Sequence, residues 1–212
     1  MITVALSKGK LLAPTLELFR RAGIATDGLS AESRRLVFPC PEADLTLLIV
    51  RPSDIPTYVE YGAADAGVVG KDVLLEQERD VYEPLDLKIG YCRLSVAAPR
   101  GQEQRDRLSS KIRVATKYPH VTEGYFNRKG VPVEIIKLYG SIELSPIVGL
   151  AERIVDLVSS GKTLKAHNLV ETDVIAESTA RLIVNRASLK MKHGGLTDLI
   201  ARLKRARPKR VR

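Results

Sequence analysis

The sequence predicts an α/β protein in which mixed, mostly parallel sheets are covered by helices and form two lobes. Short apolar strands alternate with helical segments along most of the 212 residues, a pattern typical of parallel sheets with helical crossovers. Two such blocks follow one another, and an apolar β-like stretch near residues 173–185 returns after the second block. No repeat, low-complexity segment or long linker interrupts the pattern.

The first block begins with a strand and an amphipathic helix, which Gly23 ends. Its most apolar segment, Leu45–Val50, is apolar almost throughout, as expected for a strand buried on both faces. The expected strands are Ile2–Ala5, Leu36–Phe38, Leu45–Val50 and Ala66–Val69, and the expected helices are Leu12–Ala22, Pro52–Tyr61 and Lys71–Gln77.

The second block repeats this alternation. Its expected strands are Leu94–Ala98, Ile112–Thr116, Val133–Lys137 and Ile154–Leu157, its expected helices lie near Pro119–Lys129 and Ile142–Leu150, and a last helix is expected at Leu196–Lys204. We therefore expect one discontinuous domain from residues 1–90 plus 176–212 and a second domain from residues 91–175.

Composition excludes several classes of protein. The chain is 44% hydrophobic and 28% charged, which is ordinary for a globular protein. No apolar run is long enough to span a membrane, and no signal peptide is recognised, so we expect a cytoplasmic protein. Cys40 and Cys92 are then two reduced thiols, and neither the cysteines nor the three histidines show metal-ligand spacing.

The formal net charge of +9 is concentrated in the C-terminal tail. Residues 190–212 contain nine Lys or Arg against the single acid Asp198, which leaves 25 basic and 24 acidic residues in the rest of the chain. An RNA-binding module would rest on this tail alone. We interpret the tail as a solvated, frayed terminus and expect no nucleic-acid partner.

The segment with the clearest chemistry is residues 154–164. An apolar strand reaches Asp156, and small and hydroxyl residues follow it. Ligands bind at the carboxyl ends of strands in open α/β sheets, successive backbone N–H groups can form a nest for an anion, and an aspartate accepts hydrogen bonds from sugar hydroxyls. An ordinary capped turn is the alternative interpretation. The residues predicted to bind a sugar phosphate are Ser159, Ser160, Gly161, Lys162, Thr163 and Leu164.

A longer pattern surrounds this segment. It reads Glu-x5-Gly-x-Ala-x2-Ile-x-Asp-Leu-x2-Ser-Gly-x-Thr-Leu, starts at Glu143 and ends at Leu164. The pattern resembles that of the ATP phosphoribosyltransferase family, and further similar segments at residues 5–10, 51–56, 62–72 and 138–143 extend the resemblance over about residues 2–189.

The resemblance implies a fold and a reaction. The fold would be the two-lobed, type II periplasmic-binding-protein-like fold with an active-site cleft between the lobes. The reaction would be the first step of histidine biosynthesis, in which N1 of the ATP adenine attacks C1 of 5-phosphoribosyl 1-pyrophosphate and pyrophosphate leaves. Mg²⁺ would be carried with the substrate phosphates. Because few residues follow the family-like part, we expect a short form that works with a histidyl-tRNA-synthetase-like regulatory subunit, as a homodimer within a hetero-oligomer.

The resemblance also implies roles for charged and neighbouring residues outside the segment of residues 154–164. Both substrates are polyphosphates, so cations are needed, and a positively charged sugar develops as pyrophosphate leaves, so carboxylates are useful. Solvated surface cations and helix caps are the alternative interpretations. The predicted catalytic residues are Asp156, Glu143, Lys10 and Arg34, and the further substrate-binding residues are Lys8, Arg51, Asp65, Gly70 and Asp72.

Two other classes of protein remain as alternatives. A two-lobed small-ligand-binding protein without catalysis would usually carry an export signal, and none is recognised. A purine-salvage phosphoribosyltransferase usually carries two adjacent acids before its phosphate loop, whereas Asp156 stands alone.

Overall fold

The computed structural model describes residues 1–26, 29, 35–103 and 111–209. The chain divides into two compact units, unit 1 from residues 1–91 plus 179–212 and unit 2 from residues 92–178. The strands are β1 (Ile2–Ser7), β2 (Val37–Cys40), β3 (Leu45–Val50), β4 (Ala66–Gly70), β5 (Tyr82–Asp86), β6 (Cys92–Pro99), β7 (Ile112–Thr116), β8 (Val133–Lys137), β9 (Arg153–Val158), β10 (Leu169–Ser178) and β11 (Ala180–Val184). The α-helices are α1 (Leu12–Arg21), α2 (Ile55–Glu60), α3 (Lys71–Gln77), α4 (Pro119–Arg128), α5 (Leu144–Ile147), α6 (Lys162–Ala166), α7 (Arg186–Met191) and α8 (His193–Ala206).

Unit 1 is built on a six-stranded mixed sheet of order β2-β3-β1-β4-β11-β5. The central strands β3, β1 and β4 run parallel, and β2, β11 and β5 are antiparallel to their neighbours. Every residue of β4 is buried, as expected for a strand covered on both faces. Gly67 lets α2 pack directly on this strand, because a Cβ there would lie 2.5 Å from Cγ2 of Ile55.

Unit 2 is built on a five-stranded sheet of order β10-β6-β9-β7-β8. β9, β7 and β8 run parallel, and β6 and β10 are antiparallel to their neighbours. One face packs against the aromatic residues of α4, and the other face carries a cluster that includes Ile142, Ile154 and Leu164. The carboxyl ends of β7, β8 and β9 therefore meet at one edge of the sheet.

The prediction of mixed sheets is confirmed, but the expected majority of parallel strands is not. Four of the nine strand pairings in the described part of the chain are parallel, because β2, β5, β6, β10 and β11 all run against their neighbours. Strand β5 was missed because it contains Pro84, which is tolerated there since β5 lies at the edge of the sheet.

The basic tail is largely a folded element and not a frayed terminus. Helix α8 buries Leu196, Leu199 and Leu203 along one stripe against the core of unit 1. Arg202 donates hydrogen bonds to the carbonyls of residues 22 and 23 after α1, at 3.0 and 2.7 Å. Positive charge in the tail thus serves packing as well as solubility. No helix in the ranges that the structure describes is long and apolar enough to cross a membrane.

Candidate active site

The loop after β9 presents backbone N–H groups and hydroxyls that can donate hydrogen bonds. Gly161 has a φ of 72°, which favours glycine, and it directly precedes α6. Within the described residues, the N–H groups of Ser160, Gly161, Lys162 and Thr163 donate to no protein acceptor, as is usual in the first turn of a helix. The hydroxyls of Ser159 and Thr163 are exposed beside them. These donors can bind an anion such as a phosphate.

Asp156 lies within strand β9, whereas the sequence had indicated that it lies at the end of the strand. Strand β9 continues to Val158, and Asp156 is partly buried and accepts the N–H of Leu157 at 2.8 Å. Its partner across the sheet is Ser95 on β6, which is fully buried. The carboxylate therefore lies within β9, three residues before the loop begins at Ser159.

Arg93, Ser95 and Glu171 form a polar network next to Asp156 that sequence reasoning missed. Arg93 binds both carboxylate oxygens of Glu171, at 2.9 and 2.8 Å, and the Ser95 hydroxyl donates to Glu171 at 3.0 Å. The hydrogen bonds from Arg93 lower the pKa of Glu171, outweighing burial, which raises it, and Ser95 lowers it further. The signal in the sequence was the alternation of polar Arg93 and Ser95 within an otherwise apolar strand.

Glu143 directly precedes α5, in the segment that follows β8. Its carboxylate is partly exposed and has no hydrogen-bond partner in the part of the chain that the structure describes. The adjacent Ile142 packs in the same apolar cluster as Ile154 and Leu164. This packing brings the segment of Glu143 to the same face of the sheet as the loop and Asp156.

In unit 1, predicted cations follow two adjacent strands at one edge of the sheet. Lys8 follows β1 and Arg51 follows β3, and the N–H of Lys8 donates to the carbonyl of Val50 at 2.9 Å. Lys8, Lys10 and Arg51 are exposed, and none of them pairs with a carboxylate among the described residues. Arg34 lies outside the described residues.

Gly70 and Asp72 lie at the same edge, where β4 ends and α3 begins. The Asp72 carboxylate occupies the space that a side chain at Gly70 would need, and Asp72 is buried. The absence of a side chain at Gly70 therefore leaves room for the Asp72 carboxylate. The predicted contact of Gly70 with a ligand would be made by its backbone.

Asp65 lies at the opposite end of β4 from Gly70, directly before the strand begins, and joins neighbouring elements. Its buried carboxylate accepts hydrogen bonds from the N–H of Thr3 at 2.8 Å, the hydroxyl of Ser188 at 2.7 Å and the ammonium of Lys192 at 2.7 Å. Burial by itself raises the pKa of Asp65, but Lys192, Thr3 and Ser188 together lower it below its ordinary value. Through these three hydrogen bonds Asp65 joins β1, β4 and the segment of α7, and its predicted substrate contact stays a prediction.

Comparison with known proteins identifies the family. The family model described as ATP phosphoribosyltransferase matches residues 51–205. The protein named ATP phosphoribosyltransferase 2 of Geobacter sulfurreducens is 59% identical over 206 residues, which cover 96% of this chain and 97% of that protein. The chain belongs to the ATP phosphoribosyltransferase family.

Further relatives agree with this family assignment. The ATP phosphoribosyltransferase of Moorella thermoacetica is 50% identical over 212 residues, covering 97% of this chain and 93% of that protein. A chain in the solved structure described as an ATP phosphoribosyl transferase (HisG:HisZ) complex from Thermotoga maritima superimposes with a TM-score of 0.84 at 33% identity, covering 97% of this chain and 98% of that one. The predicted family and the periplasmic-binding-protein-like α/β fold are confirmed.

Family membership assigns the activity. The chain is a phosphoribosyl-transferring enzyme that acts at the first step of histidine biosynthesis, and the non-catalytic ligand-binding alternative is set aside. Among the described residues, no group of three or more His, Cys, Asp or Glu side chains could hold a metal ion.

Proposed function

We propose that unit 2 binds phosphoribosyl pyrophosphate, with its 5′-phosphate on the loop Ser159–Thr163. The observation that carries this proposal is the set of four backbone N–H groups, at residues 160–163, that donate to no protein acceptor in the described chain. A phosphate would satisfy these donors together, and exposed hydroxyls add to them. Gly161 supports the tight turn because its φ of 72° disfavours other residues.

In this arrangement Asp156 faces the ribose. A carboxylate three residues before the phosphate loop can accept hydrogen bonds from ribose hydroxyls, and it can stabilise the positive charge that develops on the sugar as pyrophosphate leaves. Glu143, whose segment packs on the same face, is the second such carboxylate. No covalent nucleophile is required, because N1 of the adenine attacks C1 directly and the enzyme positions the two substrates.

The cations after β1 and β3 are proposed to bind substrate phosphates. Lys8, Lys10 and Arg51 are exposed and without carboxylate partners in the described chain, so binding a phosphate would not require breaking an ion pair. Arginine can bind phosphate through two parallel hydrogen bonds, and lysine acts as a point charge. The predicted substrate contacts of Asp72 and Gly70 and the predicted catalytic role of Arg34 stay predictions.

Mg²⁺ is proposed to enter with the substrate phosphates. The ion prefers oxygen ligands and keeps several water molecules, so phosphate oxygens and one nearby carboxylate suit it better than a cluster of protein ligands. Asp156 and Glu143 are the carboxylates of unit 2 that fit this role. When bound, the ion would supply positive charge to the departing pyrophosphate.

A regulatory partner is proposed from the solved neighbour, whose description names a HisG:HisZ complex. This chain covers 98% of the neighbouring chain, so the same type of assembly is expected here, with a homodimer of this chain bound to a histidyl-tRNA-synthetase-like subunit. We also propose a cytoplasmic location, because ATP and phosphoribosyl pyrophosphate are cytoplasmic metabolites.

The phosphate loop is tested by Thr163→Val, which replaces a hydroxyl by a methyl group of similar size at an exposed position. A hydrogen bond to a charged group is worth about 1.5–3 kcal/mol, so the dissociation constants of phosphoribosyl pyrophosphate and ribose 5-phosphate should rise roughly 10- to 100-fold. Calorimetric titration measures both constants.

Thr172→Val is the matched control, because Thr172 is an exposed threonine of β10 whose hydroxyl contacts only the carbonyl of Val96, at 3.3 Å. This control should bind both ligands like the parent. Unchanged binding in Thr163→Val would show that the loop is not the phosphate site.

A further inference from the structure

Lys117 stands between the two segments of the proposed phosphoribosyl site. It is the first residue after β7, and β7 is the middle strand of the parallel set β9-β7-β8. The phosphate loop follows β9 and the segment of Glu143 follows β8. Because the carboxyl ends of parallel strands meet at one edge of a sheet, Lys117 lies at the edge where both of these segments begin.

The alternation of side chains along β7 gives the face on which Lys117 lies. Val114 and Tyr118 pack in the aromatic cluster on one face, and Ala115 packs with Ile154 on the other. Side chains alternate between faces along a strand, and this alternation, continued one residue past the end of β7, puts Lys117 on the face of Ala115. On β9, Ile154 lies on that same face, and by the same alternation so does Asp156.

The strand register leads from β7 toward Asp156 at the point where β7 ends. The pairing of β7 with β9 ends at Thr116 and Val155, so one further step in the same register would bring Lys117 beside Asp156. On the other side of Asp156, its partner is Ser95. In that register Asp156 would be flanked by a hydroxyl residue on one strand and by a lysine that directly follows the other.

Lys117 is also available to bind an anion. Three other cations of unit 2, Arg93, Arg113 and Lys129, each form an ion pair with a carboxylate. Lys117 is exposed and forms no ion pair in the part of the chain that the structure describes. A lysine that is not neutralised, beside a proposed ribose-binding carboxylate, would suit a second phosphate group on the same sugar.

We propose that Lys117 binds the diphosphate of phosphoribosyl pyrophosphate. This proposal rests on the assignment of the 5′-phosphate to the loop Ser159–Thr163 and of the ribose to Asp156. The loop donors serve the 5′-phosphate, and the diphosphate at C1 carries more charge and has no backbone nest assigned to it. The ammonium of Lys117 supplies positive charge to the diphosphate in the bound substrate, and it continues to do so when the bond from C1 to the diphosphate oxygen breaks.

The test compares two ligands that differ by the diphosphate. Lys117→Met removes the charge and keeps a flexible side chain. In titration calorimetry with Mg²⁺, its dissociation constant for phosphoribosyl pyrophosphate should rise about tenfold or more, since a hydrogen bond to a charged group is lost. Its dissociation constant for ribose 5-phosphate, which has no diphosphate, should stay within twofold of the parent. Lys117→Arg should recover part of the lost affinity.

Lys137→Met is the matched control. Lys137 is an exposed lysine at the level of Thr116 on the neighbouring strand β8, and its ammonium lies over the ring of Tyr139. It shares the face of Thr116, opposite to that of Lys117, so this variant should bind both ligands normally.

The outcomes separate this proposal from the one on which it rests. If Lys117→Met binds phosphoribosyl pyrophosphate as the parent does while Thr163→Val loses both ligands, Lys117 is excluded and the phosphate loop stands. If Lys117→Met loses both ligands equally, its role on the diphosphate is overturned. If Thr163→Val binds both ligands normally, it is the phosphate-loop assignment that fails.

Discussion

Asp156 is bordered on one side by the network of Arg93, Ser95 and Glu171. Ser95 faces Asp156 across the sheet, and its hydroxyl donates to Glu171, which Arg93 keeps ionised. The Ser95 hydroxyl has one hydrogen to donate, and it donates this hydrogen to Glu171 and not to Asp156.

Asp156→Asn keeps the shape of this side chain and removes its charge. Electrostatic groups that act at the transition state contribute about 2–4 kcal/mol, so kcat/KM should fall roughly 30- to 1,000-fold. Steady-state assays of the adduct formed from ATP and phosphoribosyl pyrophosphate measure this loss. Asp173→Asn is the control, because Asp173 pairs with Lys129 on the surface of the same unit. A parent-like rate in Asp156→Asn would remove this residue from the mechanism.

Asp65→Asn tests whether Asp65 has a structural role or the predicted substrate contact. The carboxylate is 5% exposed and pairs with Lys192, so we expect the free energy of unfolding to fall by about 1–3 kcal/mol. Phosphoribosyl pyrophosphate affinity at a temperature where the variant is folded should not change. Asp80→Asn, at an exposed ion pair with Arg186, should leave stability close to that of the parent.

The same residue predicts a pH dependence. The folded-state pKa of Asp65 is lowered, so its contribution to stability is present above the ordinary aspartate pKa of about 3.9 and is lost as the pH falls through the lowered value. Denaturant titrations from pH 7 down to pH 3 should show that Asp65→Asn loses less stability on acidification than the parent. A parallel acid profile in the two proteins would contradict this assignment.

At the scale of elements, α8 explains why a strongly basic C-terminal segment folds. Its apolar stripe packs on unit 1, and Arg202 binds the carbonyls that follow α1, where the helix leaves carbonyl groups without intrahelical partners. Arg207 likewise donates to the carbonyl of Asp86 at 2.6 Å. Several basic side chains that could have attracted RNA are thus committed to backbone carbonyls.

Arg202→Ala should destabilise the packing of α8 on α1. Two hydrogen bonds from a charged donor are lost, so we expect the free energy of unfolding to decrease by about 1.5–3 kcal/mol in chemical denaturation. Lys204→Ala, an exposed position on the same helix, is the matched control. Equal stability of the two variants would mean that Arg202 does not hold α8 in place.

At the scale of the whole molecule, the chain passes twice between its units, after residue 91 and after residue 178. A partner protein that prefers one conformation of the chain would shift the population by its differential affinity for that conformation. The proposed regulatory subunit can therefore control the reaction without contributing a catalytic residue.

We predict that histidine binds to the complex with the regulatory subunit and not to this chain alone. Titration calorimetry of the isolated chain with histidine should show no saturable heat, and activity of the isolated chain should be insensitive to histidine. The complex should be inhibited. Tight binding of histidine to the isolated chain would overturn the proposed mode of regulation and leave the chemistry unaffected.

The sequence by itself determined the α/β class, most strands and helices, the family and the segment around the phosphate loop. Apolar periodicity and turn residues are local signals, and the loop pattern is contiguous, so both can be read along the chain. The strands Leu45–Val50 and Ile112–Thr116 were predicted with the bounds that the structure has.

Only the tertiary structure decided the strand directions, the role of Asp65 and the neighbours of Asp156. Strand direction depends on which strands pair, and β11 joins β4 after an intervening unit of 87 residues. Asp65 and Asp72 look alike in sequence, yet one accepts hydrogen bonds from Thr3, Ser188 and Lys192 and the other lies in the first turn of α3. Register between distant strands likewise brings Ser95 to Asp156, and register is set by packing across the sheet rather than by any local pattern.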